Sequence, residues 1–230
     1  MKKKTLMSWS TGKDSAWTYY QLQKNPNYEV LGLFCTVNQK FERTAMHGVR
    51  IELLKKQAQA MNMPLDIVEI PYPCSNADYE QIMESYIHKV KKKGIEYFAF
   101  GDLFLEDIRA YRVKQLKNTG IEAIFPIWQS NTEELASKII EMGFEAITTC
   151  IDSKKLDTNF VGRYYNSTFL TELPSTIDLC GENGEFHTFV FNAPMFKQKI
   201  PISVGEIVTK GDFIFADIQS LVQDAQFYAL

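Results

Sequence analysis

The sequence predicts an α/β protein with a doubly wound parallel sheet, followed by a smaller C-terminal region of the α+β kind. Three observations favour this fold class. Short apolar segments alternate with amphipathic helical patterns over residues 5–150, and this alternation is typical of parallel strands joined by right-handed helical crossovers. A small polar loop joins the first strand to the first helix. Beyond Asp152 the pattern changes to short strands and turns.

The elements of the first region follow in regular order. The first strand is predicted at residues 5–9, and a helix with apolar positions at Ala16, Tyr19 and Leu22 comes next. The alternation predicts one parallel sheet with helices on both faces. Later strands are predicted at residues 30–37, 65–70, 97–100, 123–125 and 146–150, and later helices at residues 51–61, 79–90, 106–117 and 133–141.

The C-terminal region is less regular. Residues 160–173 show a helical pattern, and Val190 lies in a short apolar segment typical of a strand. Two apolar runs within residues 207–218 flank a Lys-Gly-Asp turn and predict a hairpin. The same run is a candidate for pairing with a second copy of the chain in a homo-oligomer.

Composition and charge exclude several classes of protein. Of the 230 residues, 45% are hydrophobic and 23% are charged, so the chain can bury a core without disulfides and is far from a disordered composition. A formal net charge of -3 argues against nucleic acid as the main partner, because binding to a phosphate backbone requires clustered Lys and Arg. Cys35, Cys74, Cys150 and Cys180 are scattered without metal-ligand spacing, which indicates reduced thiols.

The N-terminal segment argues against a membrane protein. Residues 1–5 are basic, and the apolar stretch after them is interrupted by Ser8, Ser10 and Lys13. A signal peptide or a transmembrane helix requires a longer apolar run. We therefore expect a cytoplasmic protein.

The loop between the first strand and the first helix reads Ser10-Thr11-Gly12-Lys13-Asp14-Ser15. Backbone N–H groups at a helix N-terminus form a site for anions, and small residues let a phosphate approach closely. Lys13 supplies a mobile positive charge, and the two serines supply hydroxyl donors. Asp14 can cap the helix or bind Mg²⁺. The alternative interpretation is an ordinary turn with an Asp cap.

Two other nucleotide-binding loops do not fit this segment. Lys13 is followed by Asp14, where a Walker A loop requires Ser or Thr, and Met7 stands where its first glycine belongs. No GxGxxG fingerprint follows the first strand either. The loop nevertheless predicts nucleotide binding, so we divide the chain into an ATP-binding domain, residues 1–126, and a substrate-side region, residues 127–230.

A second polar segment, residues 101–109, begins at the carboxyl end of the fourth strand. Ligands bind at this edge of open α/β sheets, so Asp102 is a candidate for the site. Glu106, Asp107 and Arg109 fall in the first turn of the next helix. A carboxylate there also favours the helix dipole, so capping explains Asp107 as well as chemistry does. The preferred candidates are Asp102, Glu106 and Arg109.

The third polar segment, residues 180–188, combines two glycines, two carboxylates and a histidine, and it is too polar for a core strand. We expect a binding loop here. Glu182, Glu185 and His187 can orient a nucleophile, bind Mg²⁺ or act as a general base, and their spacing does not choose among these roles. For His187 alone, a structural hydrogen bond is the default interpretation.

These segments together resemble the diphthine–ammonia ligase family of PP-loop ATP pyrophosphatases, over nearly the whole chain as far as Phe196. The first loop is similar to the SGGKDS form of the SGGxDS signature of that family, with Thr11 in place of a glycine. Five further segments carry the resemblance: TAMHGV at residues 44–49, PCSN at 73–76, GDLFLEDIR at 101–109, FPIW at 125–128 and GENGEFHTFV at 181–190.

The resemblance implies a HUP-type, Rossmann-like fold and an ATP-dependent reaction. In that family ATP adenylates a carboxylate with release of pyrophosphate, and ammonia then displaces AMP to leave an amide. The chain reads GENGEFHT at residues 181–188, where diphthamide-making members look like GEGGEFET. This form resembles the bacterial branch of the family, so we expect an acceptor carboxylate other than diphthine.

The expected ligands are ATP, Mg²⁺, ammonia and a carboxylate of unknown identity. Residues 35–38 are expected to lie against adenine and ribose, and His47 and residues 182–187 to face the acceptor. Met46 and Trp128 are expected to pack. ATP is expected to contact Ser10, Thr11, Gly12, Lys13, Asp14, Ser15, Thr36, Asn38, His47 and Gly101, with Mg²⁺ bound by Asp14 and Asp102. Catalysis is assigned to Lys13, Asp14, Asp102, Arg109, Glu182, Glu185 and His187.

Two other functions remain open at this point. A nucleotide-binding regulator of the HUP fold would bind ATP or AMP without turnover. An ATP-dependent tRNA-modifying enzyme would share the loop chemistry, but it would normally show a basic surface or, for sulfur transfer, a catalytic cysteine pair. Neither feature is present in the sequence.

Overall fold

The first half of the chain alternates strands and helices, as the sequence predicts. The computed structural model describes residues 1–45 and 47–221, so the packing expected of Met46 lies outside the described residues. The elements of this half are β1 (Lys3–Ser8), α1 (Lys13–Lys24), β2 (Tyr28–Asn38), β3 (Arg43–Thr44), α2 (Ile51–Met61), β4 (Leu65–Ile70), α3 (Asn76–Lys92), β5 (Tyr97–Ala99), α4 (Glu106–Leu116) and β6 (Glu122–Ile124).

The parallel strands run in the order β4, β2, β1, β5, β6, and the short strand β3 pairs antiparallel with the end of β2. The chain starts in the middle at β1, builds outward to β4 and then crosses back to β5 on the other side of β1. This reversal is a topological switch point, where the loops at the strand ends separate and leave a crevice for ligands. The predicted α/β class with a Rossmann-like sheet is confirmed.

Helices cover both faces of this sheet, because right-handed crossovers that run in opposite directions place their helices on opposite sides. Met83 and Ile87 of α3 and Leu116 of α4 pack with Phe34 and Phe98 in one hydrophobic cluster. The apolar stripe of each helix is buried in this way against apolar positions of the strands. This cluster forms the core on one face.

The opposite face joins the two halves of the molecule. Ala16 of α1 and Leu53 of α2 belong to a second hydrophobic cluster that continues into the C-terminal half. Trp17 of α1 packs on Phe144, with 5.5 Å between the ring centroids. The two halves therefore share one continuous core on this side.

The second half contains an antiparallel sheet. Strand β7 lies in the middle with β9 on one side and with β8 and β11 on the other, and β10 forms the edge beyond β11. The hairpin predicted over residues 207–218 is confirmed as β10 and β11. The elements are α5 (Thr132–Glu141), β7 (Glu145–Asp152), a 3₁₀ turn (Thr158–Phe160), β8 (Tyr164–Tyr165), α6 (Ser167–Glu172), β9 (Phe186–Asn192), β10 (Ile202–Lys210) and β11 (Phe213–Ser220).

Two predictions for this half are wrong. Strand β7 does not complete the parallel sheet but pairs antiparallel with its neighbours, and an apolar run buried on both faces looks the same in either sheet. The helix predicted over residues 160–173 is too long. Only Ser167–Glu172 are helical, because Gly162 turns the chain with φ 74° and β8 precedes the helix.

The two sheets occupy separate parts of the sequence. The proposed boundary at residue 126 falls between β6 and α5. The four cysteines are free thiols, as expected. In the described part of the chain, no helix combines the length and apolar character that crossing a bilayer requires.

Candidate active site

The loop between β1 and α1 is folded by its own hydroxyl groups. Ser10 Oγ donates to Ser15 Oγ at 3.1 Å, and Ser15 Oγ donates to the carbonyl oxygen of Gly12 at 3.0 Å. Helix α1 begins with Gly12 as its N-cap residue, which has no side chain to cap the helix. Asp14 is the second residue of the helix and not its N-cap residue. A glycine at the N-cap position leaves the positive end of the helix dipole accessible to an anion.

Thr11 occupies the tightest bend of this loop. Its φ of 73° lies in the left-handed region, which costs an L-residue about 1–2 kcal/mol. The carbonyl oxygen of Thr11 accepts hydrogen bonds from Gln57 Nε2 at 2.9 Å and from the N–H of Val190 at 3.0 Å. Its side chain is fully buried, and Oγ1 has no partner among the described residues. Thr11 therefore shapes the loop from its buried side, where it contacts α2 and β9.

Two glycines allow the walls of the site to approach closely. A Cβ atom on Gly12 would lie 2.8 Å from Cε1 of His47. A Cβ atom on Gly101 would lie 3.0 Å from the backbone carbonyl of Asp14. Real Cβ contacts are rarely this short, so a larger residue at either position displaces its neighbour. Gly101 thus brings the end of β5 against the first turn of α1.

Lys13 is fixed and not mobile. Its side chain is only 2% exposed, and its Nζ donates to Asp14 Oδ2 at 2.9 Å and to the carbonyl oxygen of Cys180. The ammonium also lies 5.4 Å and 5.3 Å from the ring centroids of Tyr165 and Phe186. Burial lowers the pKa of Lys13, but Asp14, together with Cys180 and Glu182, outweighs this effect and holds the pKa above its ordinary value. The expectation of a mobile cation is wrong, because the C-terminal half encloses the side chain.

Strand β9 braces the start of α1 from the C-terminal half. The backbone N–H of Lys13 donates to Thr188 Oγ1 at 3.1 Å. Gln57 of α2 donates to the carbonyl oxygen of Val190 at 2.6 Å and accepts a hydrogen bond from Trp9 Nε1 at 2.7 Å. Because Gln57 also donates to the loop itself, one buried amide ties α2, β9 and the loop together.

Helix α4 supplies an arginine that differs from the predicted one. Arg112 holds Asp102 with two hydrogen bonds, Nε to Oδ2 at 2.5 Å and Nη2 to Oδ1 at 3.0 Å. Its guanidinium lies 4.4 Å from the ring centroid of Phe100. Arg109, in contrast, lies over Trp128 at 5.0 Å and reaches Glu106 at 3.7 Å. The structure therefore brings Arg112, and not Arg109, to the crevice.

Glu182 ties the loop before β9 to the end of β5. Its Oε1 accepts hydrogen bonds from the N–H of Leu103 at 2.7 Å and of Phe104 at 3.4 Å. Burial raises the pKa of Glu182 to about 7, while the two N–H donors act in the opposite direction. This carboxyl group therefore changes its charge near neutral pH.

Glu185 is turned away from the crevice. It is 2% exposed, and its Oε1 accepts hydrogen bonds from Asn183 Nδ2 at 3.0 Å and from the N–H of Asp178 at 3.3 Å. Its Oε2 has no partner among the described residues. The contacts of Glu185 stabilise the turn before β9, which is a structural role.

His187 and Thr188 belong to β9 and not to a loop, so the prediction of a binding loop is wrong for this part of the segment. Apolar neighbours such as Phe186 and Phe189 bury the strand despite its polar residues. The ring of His187 packs on His47 with 4.6 Å between centroids, and His47 Nδ1 donates to the carbonyl oxygen of Thr188 at 3.1 Å. Burial lowers the pKa of His47 to about 4 and that of His187 well below its ordinary value, so both rings are neutral at pH 7.

A cavity of about 450 Å³ opens at the switch point between β1 and β5. One end is apolar and includes Phe34, Met83 and Phe98, whereas the other end is polar. Small-molecule sites commonly have this size and combine apolar walls with a few polar groups. The predicted residues that line it are Ser10, Lys13, Asp14, Ser15, Thr36, His47, Gly101, Asp102, Glu182 and His187.

Five of the residues assigned to ATP or to catalysis do not line this cavity, and neither does the further candidate Glu106, which pairs with Arg109. Thr11 and Gly12 form the back of the loop, and Asn38 faces a neighbouring cavity. Arg109 and Glu185 point elsewhere, as described above. Their contacts give these residues roles in shape or packing, and the catalytic roles assigned to the others stay predictions.

Sequence reasoning missed Arg112, although a signal for it exists. Leu105, Ile108 and Arg112 line the cavity from one face of α4, and positions three and four apart share a helix face. Ile108, four residues before Arg112, marks that face, whereas Arg109, the residue after Ile108, is rotated by roughly 100° from it on the helix. Thr188 was also missed, because its partner on α1 is distant in sequence.

The donor set fits a Mg²⁺ ion that arrives with a nucleotide. Asp14 and Asp102 line the same cavity, and Mg²⁺ usually takes one or two carboxylates together with phosphate oxygens and water. Each carboxylate already pairs with a cation, Lys13 or Arg112. Among the described residues no cluster of three or more His, Cys, Asp or Glu side chains could hold an ion by itself.

Two family models match the sequence of this chain. Residues 3–123 match the diphthamide synthase N-terminal domain, and residues 131–223 match the diphthamide synthase C-terminal domain. The chain belongs to the diphthamide synthase family. The HUP-type fold expected from the resemblance agrees with the sheet order described above.

Relatives of this diphthamide synthase family member include two mammalian enzymes. The diphthine–ammonia ligase of Bos taurus is 27% identical over 180 residues, which cover 71% of this chain and 67% of that protein. The diphthine–ammonia ligase of Homo sapiens is 26% identical over the same shares. Among solved structures, the U34-tRNA thiolase NcsA from Methanococcus maripaludis with its [4Fe-4S] cluster aligns with a TM-score of 0.37 and 18% identity over 61% of this chain and 58% of that one. A likeness of this degree does not bear on function.

Proposed function

We propose that this chain is an ATP-dependent amide ligase that cleaves ATP to AMP and pyrophosphate, adenylates a carboxylate and lets ammonia displace AMP. The observation that carries the proposal is a single cavity at the switch point, with an apolar end and a polar end that contains Lys13, Arg112 and the N-terminus of α1. Membership of the diphthamide synthase family and the similarity to diphthine–ammonia ligases support it.

The apolar end suits a purine base. Phe34, Phe98 and Phe100 line it together with Met83 and Ile87. A flat heteroaromatic ring gains free energy from contact with such side chains. Adenine bound there directs the phosphates toward the loop after β1, which lines the same cavity.

The polar end suits phosphates. The N-terminus of α1 favours negative charge, and Arg112 adds a guanidinium that is 28% exposed and directed by Asp102. Negative charge grows on the phosphates as pyrophosphate leaves, and fixed cations and helix dipoles stabilise that charge. Lys13 is buried in the wall, so it contributes through its field and by holding Asp14. In this proposal Arg112 takes the role that the sequence suggested for Arg109.

Asp14 and Asp102 are the residues that would hold Mg²⁺ brought in with ATP. The ion would neutralise phosphate charge and make pyrophosphate a better leaving group. His187 remains neutral, so its imidazole can accept a hydrogen bond from the incoming nitrogen nucleophile. The identity of the carboxylate is addressed in the next section.

The experiment that tests the proposal traces isotope labels from the substrates into the products. Purified protein is incubated with Mg²⁺-ATP, ¹⁵N-ammonium and a pool of ¹⁸O-labelled carboxylic acids, and the products are identified by mass spectrometry. The mechanism transfers one carboxylate oxygen to AMP when ammonia attacks the acyl adenylate. We therefore expect AMP that carries ¹⁸O, unlabelled pyrophosphate and an amide that carries ¹⁵N.

Other product patterns contradict the proposal in different ways. ADP with phosphate would exclude cleavage between the α- and β-phosphates. AMP without ¹⁸O would indicate hydrolysis and no acyl adenylate. Tight ATP binding without any product, for every acid in the pool and for cell extract as acceptor source, would favour a nucleotide-binding regulator. Asp14→Asn serves as the variant control, because it removes a carboxylate of the cavity and keeps its size.

A further inference from the structure

A second cavity of about 430 Å³ lies beside the first. It is enclosed by the turn that follows β2, by Tyr72 and by the β10–β11 hairpin. The two cavities share two wall residues, Ala45 and His187. A molecule in the second cavity would therefore lie next to the site proposed for ATP.

Aromatic rings form much of this second cavity, and several of them are exposed to solvent. Phe41 is 43% exposed, Tyr72 57% and Phe213 36%. Phe41 and Tyr72 contact each other edge to face with 4.9 Å between centroids, and Phe215 lies 6.5 Å from Phe213. Exposed aromatic side chains that converge on one concave surface are typical of a binding site for a flat, apolar group.

Cations surround these rings. Lys40 Nζ lies 5.1 Å from the ring centroid of Tyr72, and Lys210 Nζ lies 5.2 Å from that of Phe41. Lys210 and Arg43 line the cavity, and Lys40 lies beside it over the ring of Tyr72. The two ammonium groups raise the positive potential of the cavity, which favours an anion.

Asp217, the carboxylate in the wall of this cavity, does not neutralise the positive charge of Lys40 and Lys210. Asp217 accepts hydrogen bonds from Arg43 at 2.7 Å and from Arg50 at 2.8 Å and 2.7 Å. Hydrogen bonds from Arg50 and Arg43 hold the pKa of Asp217 well below its ordinary value despite partial burial. Asp217 is therefore a fixed, compensated anion, and the cations of Lys40 and Lys210 remain to act on a ligand.

We infer that this second cavity binds the acceptor, a small carboxylic acid with a flat, apolar body whose carboxylate is directed toward His187 and the first cavity. The inference rests on the proposed function, since it names the acceptor class of the same reaction. The aromatic walls select the body, and Lys40 and Lys210 select the negative charge. A quaternary ammonium would also fit aromatic rings, but the lysines would repel it.

The experiment measures binding without turnover. Ligand-observed NMR compares benzoate, phenylacetate and indole-3-acetate with their primary amides and with benzyltrimethylammonium, each at millimolar concentration. We expect each acid that fits to bind about tenfold more tightly than its amide, the difference that one charge-assisted contact produces. A non-hydrolysable ATP analogue should not displace the acid, because the two cavities are separate.

Two variants and two matched controls locate the binding. Lys40→Ala/Lys210→Ala should abolish the preference for acid over amide, whereas Lys89→Ala/Lys92→Ala removes the same charge from the exposed face of α3 and should leave it intact. Phe213→Ala should weaken acids and amides alike. Ile207→Ala, an exposed apolar position on the same hairpin, should change neither.

Several results would overturn the inference. They are equal binding of acids and amides, tighter binding of the quaternary ammonium, displacement by the ATP analogue, or no binding of any acid. These results leave ATP cleavage untouched, so they are distinguishable from failure of the proposed function. If acids bind here but ATP gives no AMP with them, with the acid pool or with cell extract as acceptor source, the cavity stands and the ligase proposal falls.

Discussion

The two halves of the molecule contribute to one site in different ways. The parallel sheet of the first half places polar residues at the ends of β1 and β5, so its ligand-facing groups follow from topology. The antiparallel sheet of the second half contributes a strand, β9, that lies against the loop and holds its backbone. The first half supplies the groups expected to face the phosphates, whereas the second half fixes their positions and adds Glu182 and His187 to the cavity wall.

This difference indicates which part of the site depends most on contacts from elsewhere in the chain. The loop after β1 has small residues and a left-handed bend, and hydroxyl bonds within the loop do not fix it alone. The contacts that reach it from outside come from Gln57 and from Val190 and Thr188 of β9. A mutation in these supports should therefore loosen a loop that it does not belong to.

The largest effect on stability is expected for Gln57→Leu. Gln57 is fully buried, and its amide serves Trp9 Nε1 and the carbonyl oxygens of Thr11 and Val190. Leucine has a similar volume but removes all three hydrogen bonds and leaves the carbonyl oxygen of Thr11 with the N–H of Val190 alone, so we expect the free energy of unfolding to fall by about 3 kcal/mol. Urea denaturation followed by circular dichroism measures it.

The control for this change lies on the same helix. Gln59→Leu replaces an exposed glutamine of α2, and it should alter stability by about 0.5 kcal/mol or less. Equal effects of the two substitutions would show that the buried amide does not hold the halves together. Weaker ATP binding by Gln57→Leu in a protein that is still folded would confirm that the support reaches the loop.

The alternating pattern of the first half predicts its structure well, because its helices and its parallel strands each carry a local signal. Residues 65–70 were predicted as a strand and form β4. Strand β3 was not predicted, since it has only two residues. In the second half the pairing partners are distant in sequence, so the apolar run of β7 does not reveal that its neighbours are antiparallel.

The site was predictable to the extent that it depends on strand ends. The loop after β1 and Asp102 after β5 line the cavity because parallel strands end at one edge. The sequence does not show how Lys13 is buried, because Cys180, Tyr165 and Phe186 reach it from the other half. For the same reason the brace from β9 could not be foreseen.

The largest effect on activity is expected for Arg112→Ala. Its guanidinium is the cation of α4 that lines the cavity, and its loss also leaves Asp102 as an uncompensated charge near the phosphates. We expect kcat/KM for AMP formation to fall about 100-fold, which corresponds to about 2.7 kcal/mol of transition-state stabilisation. Initial rates at varied ATP concentration give this ratio.

Arg109→Ala is the matched control, one turn earlier on the same helix. Arg109 lies over Trp128 and outside the cavity, so its loss should change kcat/KM only about twofold. Thermal unfolding of both variants separates catalysis from stability. If Arg109→Ala is as damaging as Arg112→Ala, the assignment made from the geometry is wrong.

A smaller effect, and one that depends on pH, is expected for Glu182→Gln. The pKa of Glu182 is raised to about 7 in the folded protein, so its ionisation destabilises the fold as pH rises from about 4.5, its ordinary value, to 7. Below that window both states are protonated, and above it the full destabilisation is present. Glutamine keeps an acceptor for Leu103 without the charge.

The stability of Glu182→Gln minus that of the wild type should therefore increase between pH 5 and pH 8. We expect an increase of about 1 kcal/mol, after allowing for solvent screening of a partly exposed group. Urea denaturation at several pH values without nucleotide measures the difference. Glu134→Gln removes an exposed carboxylate of α5 and gives the baseline, and a pH-independent difference for Glu182→Gln would contradict the raised pKa.

The smallest effect, expected for Thr11→Gly, tests the comparison of the two halves most directly. Thr11 has a positive φ and a buried hydroxyl without a partner among the described residues. Glycine removes the conformational cost of about 1–2 kcal/mol and the unsatisfied hydroxyl. It also loses an apolar methyl group and adds freedom to the unfolded chain, at about 0.5–1 kcal/mol each. The gains exceed the losses, so we expect a net gain in stability.

Thr5→Gly provides the control, because Thr5 is equally buried but lies in the extended strand β1, and it should destabilise the protein. The decisive measurement is the stability of the double variant Thr11→Gly/Gln57→Leu, compared with the two single variants. If Gln57 and β9 hold Thr11 in a bend that threonine resists, glycine should reduce the cost of losing Gln57, with a coupling energy of at least about 0.5 kcal/mol between these neighbouring residues. Strict additivity would mean that the loop keeps its shape by itself and that the C-terminal half only covers it.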